Sequence, residues 1–285
     1  NVLTQIGLGY PFLFLLWGRS LRTQAITAGS ILLATWLLYV LYPNAGVPIP
    51  ERPDILGGAW VMARDPIAPG VTEEWAVEHL TGIAPAWHKN ANIGHAIDRE
   101  VLNWLPRASA FAFDRGGYQT LNFLPSLATM IFGLMCGELL RSSRSAKRKL
   151  QILALAGVGG LAVGWLLNAT NVCPSVKRLW TPSWALFSTG WCCLILAALY
   201  GLVDVRQYRR WAYPLIVVGV NSIAIYCMGM LLRPWAARTL QIHLGKDIFE
   251  LWGPLWEPTL QAVLVGLMFW LACWWMYRQK IFIRI

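Results

Sequence analysis

Long apolar runs separated by short basic connections are the feature that most restricts this chain. A helix that crosses a bilayer needs about 17 to 25 mostly apolar residues. Seven stretches qualify, at roughly 2–17, 24–42, 119–140, 150–168, 181–203, 211–232 and 255–277. Hydrocarbon offers no partner to an open N–H or C=O, so such runs must be helices that close their own hydrogen bonds. The first run is the shortest and carries Thr4 and Gln5. The expected fold is an all-α integral membrane protein of about seven transmembrane helices. With 56% hydrophobic and 13% charged residues, and a mean hydropathy of +0.48, the chain has more apolar surface than a soluble core could bury.

The net charge of +10 would suit a nucleic-acid binder if it formed one patch. Instead the basic residues punctuate the runs, which argues against a nucleic-acid partner. Arg19 and Arg22 follow the first run, and Arg141, Arg144, Lys147, Arg148 and Lys149 follow the third. Arg206, Arg209 and Arg210 follow the fifth, and Arg278, Lys280 and Arg284 end the chain. These alternate, short connections share one side, and the positive-inside bias makes that side, with the C-terminus, cytoplasmic.

The region 43–118, between the second and third runs, then faces outward, and at this length it is expected to be a small cap. Its opening, Pro43 to Pro53, holds too much Pro and Gly to be helical throughout. Further on, Asn92 to Leu105 sets Ile97, Val101, Leu102 and Leu105 on one helical face, the pattern of an amphipathic helix on a protein or membrane surface. Six cysteines are scattered, with neither a disulfide framework nor a zinc spacing, so no metal is expected.

Within Cys173–Trp191 the pair Lys177–Arg178 precedes Trp180, Thr181, Pro182, Ser183 and Trp184. Arg grips two phosphate oxygens at once and Lys adds a point charge, so the pair suits a phosphorylated ligand. The alternative is snorkelling to the headgroups beside an aromatic belt. Thr181 fits an N-cap and Pro182 the first helical position, which aims a helix N-terminus at the same place. Asn221 and Ser222 sit inside the sixth run, where polar groups either bond between helices or line a cavity. Acid–base candidates in the outer region are His88, beside Trp87 and Lys89, and the carboxylates Asp98 and Asp114. Asp98 could equally pair with Arg99 at the surface, and Gly116–Gly117 after Asp114 reads as a turn.

Several blocks occur together in one family: Asn1-Val2-Leu3-Thr4-Gln5-Ile6-Gly7-Leu8, Asp98-Arg99, Asp114-Arg115-Gly116-Gly117, Leu179 to Trp191 with its Trp-Thr-Pro-Ser-Trp core, Leu202-Val203-Asp204-Val205 and Gly219-Val220-Asn221-Ser222-Ile223. Over essentially its whole length the chain resembles the heparan-α-glucosaminide N-acetyltransferase family and its bacterial relatives. The resemblance implies a transmembrane acyltransferase domain over 1–285, the C-terminal portion of a longer one, in a bacterial inner membrane. It implies acetyl transfer from acetyl-CoA to the amine of a glucosamine-type sugar on the non-cytoplasmic side. A homodimer is the candidate assembly. The family's proposed catalytic histidine would precede Asn1. His88, Asp98 and Asp114 are the catalytic candidates within the chain, and Lys177, Arg178, Trp180, Ser183, Asn221 and Ser222 the expected residues of the acetyl-CoA site. The rival reading is a transporter or binder of an amino sugar or lipid-linked sugar. Transporters usually show an internal repeat, and none is visible here.

Overall fold

The structure, a computed structural model, describes residues 2–43, 71 and 73–283. Every regular element among them is a helix. The Pro- and Gly-rich stretch at 44–53 and most of the first half of the expected cap lie outside the described residues. The chain divides into two compact units, Asn1–Tyr200 and Gly201–Ile285.

In the first unit, α1 (Val2–Leu16), α2 (Leu21–Leu41), α5 (Phe123–Arg141), α6 (Ala146–Ala169) and α7 (Pro182–Leu199) are the long helices, with two short ones, α3 (Glu73–Leu80) and α4 (Ile93–Val101), between α2 and α5. Local chemistry sets the starts. Ser20 and Ser145 each accept a backbone N–H three residues on, at the openings of α2 and α6. At the α5–α6 turn the buried Lys149 donates from Nζ to the Leu140 carbonyl over 2.8 Å, a cation at a helix C-terminus. One core is formed by Ala28, Leu32, Leu127, Ala128, Ile131 and Ala185, from α2, α5 and α7.

The α6–α7 pair is packed backbone to backbone. Gly157, Gly160 and Gly164 line one side of α6 and meet Gly190, Leu186 and Phe187 of α7. A β-carbon on Gly190 would lie 2.7 Å from the Gly157 carbonyl oxygen and 2.7 Å from the Leu161 nitrogen. Where lipid is as apolar as Leu, such close approach replaces the hydrophobic effect as the source of attraction.

Five described helices are long and apolar enough to cross a membrane, over Leu21–Leu41, Thr120–Arg141, Ala146–Ala169, Pro182–Val205 and Pro254–Arg278. They coincide with five of the seven apolar runs. The run at 211–232 differs from the expected single helix. In the second unit α8 (Tyr213–Val220) and α9 (Ser222–Leu231) meet at a 68° bend, and the pair makes a sixth span if it crosses as one. The remaining run is α1, with 15 residues, which is shorter than those spans. The second unit continues with α10 (Arg233–Leu244), a helix outside all seven runs, and α11 (Glu257–Arg278). Its core gathers Ala236, Ala237, Phe249, Val265 and Phe269.

The bend has a named cause. Asn221, fully buried, breaks the helix at φ −123° and ψ 39°. Its amide donates to the Ile281 carbonyl over 3.1 Å and accepts the Ile283 N–H over 2.9 Å. Both ends of the side chain are thus engaged with the chain's own backbone, while Ser222 is exposed. Asn221→Ala would strand both backbone groups, and a loss of about 1–3 kcal/mol is expected. Thermal unfolding in a neutral detergent measures it.

Candidate functional site

Where α2 and α6 end and α5 and α7 begin, the first unit concentrates buried polar side chains. The 3₁₀ turn Thr120–Asn122, just before α5, is the hub. On one side the Thr120 N–H donates to both carboxylate oxygens of Asp98, at 3.2 and 3.0 Å. On the other, the Asn122 amide donates to the Arg178 carbonyl over 2.6 Å. The turn therefore ties the acidic residue of α4 to the basic loop before α7.

α4 is capped by Asn92, whose Oδ1 accepts the His95 N–H over 3.2 Å. The Gln119 amide also donates to that oxygen, and the Tyr39 hydroxyl donates to Gln119 Oε1, both over 2.7 Å. Tyr39 further stacks on Trp87, with ring centroids 4.8 Å apart. Gly94 is needed at this spot, because a β-carbon there would lie 1.9 Å from the Gln119 side-chain oxygen. The helix turns its Gly94, His95 and Asp98 side inward and packs Ile97 against the core that holds Tyr39 and Trp87, whereas Val101 is exposed, as is Leu105 beyond the helix end.

Asp98 is 3% exposed, and the expected surface ion pair with Arg99 is not formed. Burial pushes the Asp98 carboxyl above the usual carboxylate range, and the bonds from Thr120 only partly offset this. Burial also lowers the His95 imidazole, helped by Arg99 and opposed by Asp98.

The expected turn after Asp114 is present. The Gly117 N–H donates to the Asp114 carbonyl, Gly117 has φ +75°, and Asp114 Oδ1 accepts the Tyr118 N–H over 3.0 Å. Arg178 lies across this turn, donating to the Gly116 carbonyl over 2.9 Å. Lys89 packs against Gly117 and holds its ammonium 4.7 Å from the Trp75 ring centroid. Burial lowers the Lys89 ammonium, and the Arg178 charge lowers it further while Asp114 opposes. Lys89 and Arg178 thus form one basic cluster, with exposed Lys177 next in the chain.

Other expected site residues have structural employment. His88 is buried, and its Nε2 donates to the Ile83 carbonyl over 2.9 Å. Ser183 is fully buried and donates to the Pro174 carbonyl over 2.9 Å, while Thr181 Oγ1 accepts the Val176 N–H over 3.0 Å. The pair clasps the loop before α7. Thr181 occupies the N-cap position with Pro182 at the first turn, but its hydroxyl does not cap the helix. Trp180 has a partner within the first unit. It sits at φ +51°, a left-handed conformation that costs a bulky residue about 1–2 kcal/mol, and its indole points into the bundle to donate to Thr129 Oγ1 over 3.2 Å. Asn221 and Ser222 belong to the second unit, with the amide engaged as described above.

Sequence reading missed Tyr39, Asn92, Gln119 and Asn122. Asn122 is the most informative, being 1% exposed with an Oδ1 that has no hydrogen-bond partner in the structure. A polar residue in the opening turn of an apolar run was its only signal. No group of three or more metal-ligating side chains occurs among the described residues. Compared with known proteins, the chain matches no family model and no curated sequence.

Proposed function

We propose that the protein is a membrane-bound N-acetyltransferase that moves acetyl from acetyl-CoA to the amine of a glucosamine-type sugar. The observation that carries this reading is the hub at Thr120–Asn122, which joins a buried carboxylate of raised pKa to a basic cluster. The reading has α1 and the bent pair completing seven crossings, the basic connections cytoplasmic and the α3–α4 region forming the outer cap.

The chemistry needs three things. An acceptor ammonium must lose a proton before its nitrogen attacks the thioester carbonyl, and Asp98, with its raised pKa, is the base. The donor's phosphates need cations, which Lys89, Lys177 and Arg178 supply. The amine or a hydroxyl of the sugar needs an acceptor to orient it, and the buried Asn122 Oδ1 fills that role. The nitrogen forms its bond to the acetyl carbon, the carbon–sulfur bond breaks, and CoA leaves as the thiolate.

Full-length protein incubated with labelled acetyl-CoA and glucosamine should yield N-acetylglucosamine. Hydrolysis alone, or no product across amino sugars, rejects the assignment, and sugar uptake into liposomes without acetylation would instead favour a transporter. Arg178→Ala should weaken CoA binding by about 1–3 kcal/mol if the guanidinium holds a phosphate. Isothermal titration with CoA reads this directly, and an unchanged affinity returns Arg178 to a loop-holding role.

A further inference from the structure

Far from the polar hub, the same bundle carries a groove of about 510 Å³ between α2, α5, α6 and α7. Its walls are almost wholly apolar, including Phe132, Met135, Leu153, Val163 and Leu186. The rim is open, with Leu21 and Val163 each about half exposed, at 52% and 47%. Two charged residues line it, Glu138 and Arg144. Glu138 accepts the Gln24 amide over 2.8 Å, so its oxygen is engaged inside the bundle. Arg144 is exposed in the α5–α6 turn and makes no ion pair among the described residues.

We propose that this groove is a binding site for one acyl chain of an anionic glycerophospholipid, whose phosphate is held by Arg144. Depth supports this occupant. Along α6 the apolar lining runs from Ile152 to Val163, roughly 16 Å at 1.5 Å per residue, and Arg144 lies at the turn just before that helix begins. An apolar slot of that length with a basic residue at one end suits an extended acyl chain whose phosphate stays at the turn. Charge supports it too. Arg141, Lys147 and Arg148 flank Arg144, and no acid other than Glu138 lines the groove, so an anionic headgroup meets only cations at the turn. A water-soluble metabolite has no use for so apolar a slot. The site is independent of acetyl transfer and stands or falls separately from it.

The test uses the whole protein, extracted in neutral detergent and offered phosphatidylglycerol and phosphatidylcholine of matched chains, with retained lipid weighed by native mass spectrometry. One phosphatidylglycerol should be retained in preference to phosphatidylcholine. Arg144→Ala should lower that retention by roughly tenfold, the worth of one charge-assisted hydrogen bond. Gly159→Phe should abolish it by filling the slot, because a β-carbon at Gly159 meets no atom within 4 Å and the ring has room without disturbing α7. Circular dichroism and gel filtration show whether each variant is folded. Equal retention of both lipids by the wild type, wild-type retention by both folded variants, or a retained mass matching a CoA thioester instead of a lipid each overturns the proposal.

Discussion

Asp98→Asn is expected to lower the proposed acetyl transfer by about 10²–10⁴-fold, the usual worth of a positioned general base, while leaving the fold intact. Asn is nearly isosteric, and its carbonyl oxygen can still accept the Thr120 N–H that now reaches the carboxylate. The proton-accepting capacity is what disappears. The stability sign also follows. A carboxyl whose folded pKa is raised is most favourable to folding when protonated, and that contribution is lost as pH rises through the folded pKa. Above the ordinary aspartate value the wild type therefore carries the cost of keeping Asp98 buried, and the Asn variant does not. Its melting temperature should equal or exceed that of the wild type near pH 7, with the difference closing toward about pH 4, the ordinary aspartate value. In the wild type, kcat/KM should rise with pH through an apparent pKa above that ordinary value. Wild-type acetyl transfer by a folded Asn variant would remove Asp98 from the chemistry.

Gly190→Val is expected to be the most damaging substitution to the fold. The β-carbon alone would press on the Gly157 carbonyl and the Leu161 nitrogen at 2.7 Å, and neither is a side chain that can swing away. The helices would have to separate along the contact from Gly157 to Gly164, losing dispersion contacts that no hydrophobic gain replaces within lipid. A loss of about 3 kcal/mol or more is expected, at the upper end for overpacked sites. Gly159→Ala is the matched control. It lies on the partner helix α6 with open space around its β-carbon and should be neutral or stabilising by up to about 1 kcal/mol, since Gly is a poor helix residue. Melting in detergent compares the two, and equal melting temperatures would refute the backbone-contact account of α6 and α7.

The Gly157, Gly160 and Gly164 spacing was written in the sequence, but spacing alone does not say which helix a stripe faces. The same limit applies at the polar hub. Asn122 and Gln119 look like ordinary polar residues at the start of an apolar run. They matter because the chain returns from α2 to α5 in a path that brings Tyr39, Asn92 and Asp98 against them. Conversely, the family resemblance made Trp180, Ser183 and Asn221 expected ligand residues, while the residues alone left interhelical bonding open for Asn221. The structure gives each one a partner within the fold.

By itself the sequence determined the helical class and five helices long and apolar enough to cross a membrane, because apolar length is a local property. It also determined the turn at Asp114–Gly117, where glycine is required for a positive φ. Only the tertiary structure decided that Asp98 is buried and bonded to Thr120 instead of paired with Arg99. It alone showed that α4 turns a polar face inward and that the sixth run bends at Asn221. Those outcomes depend on which distant backbone groups need partners, and that is fixed only when the helices pack.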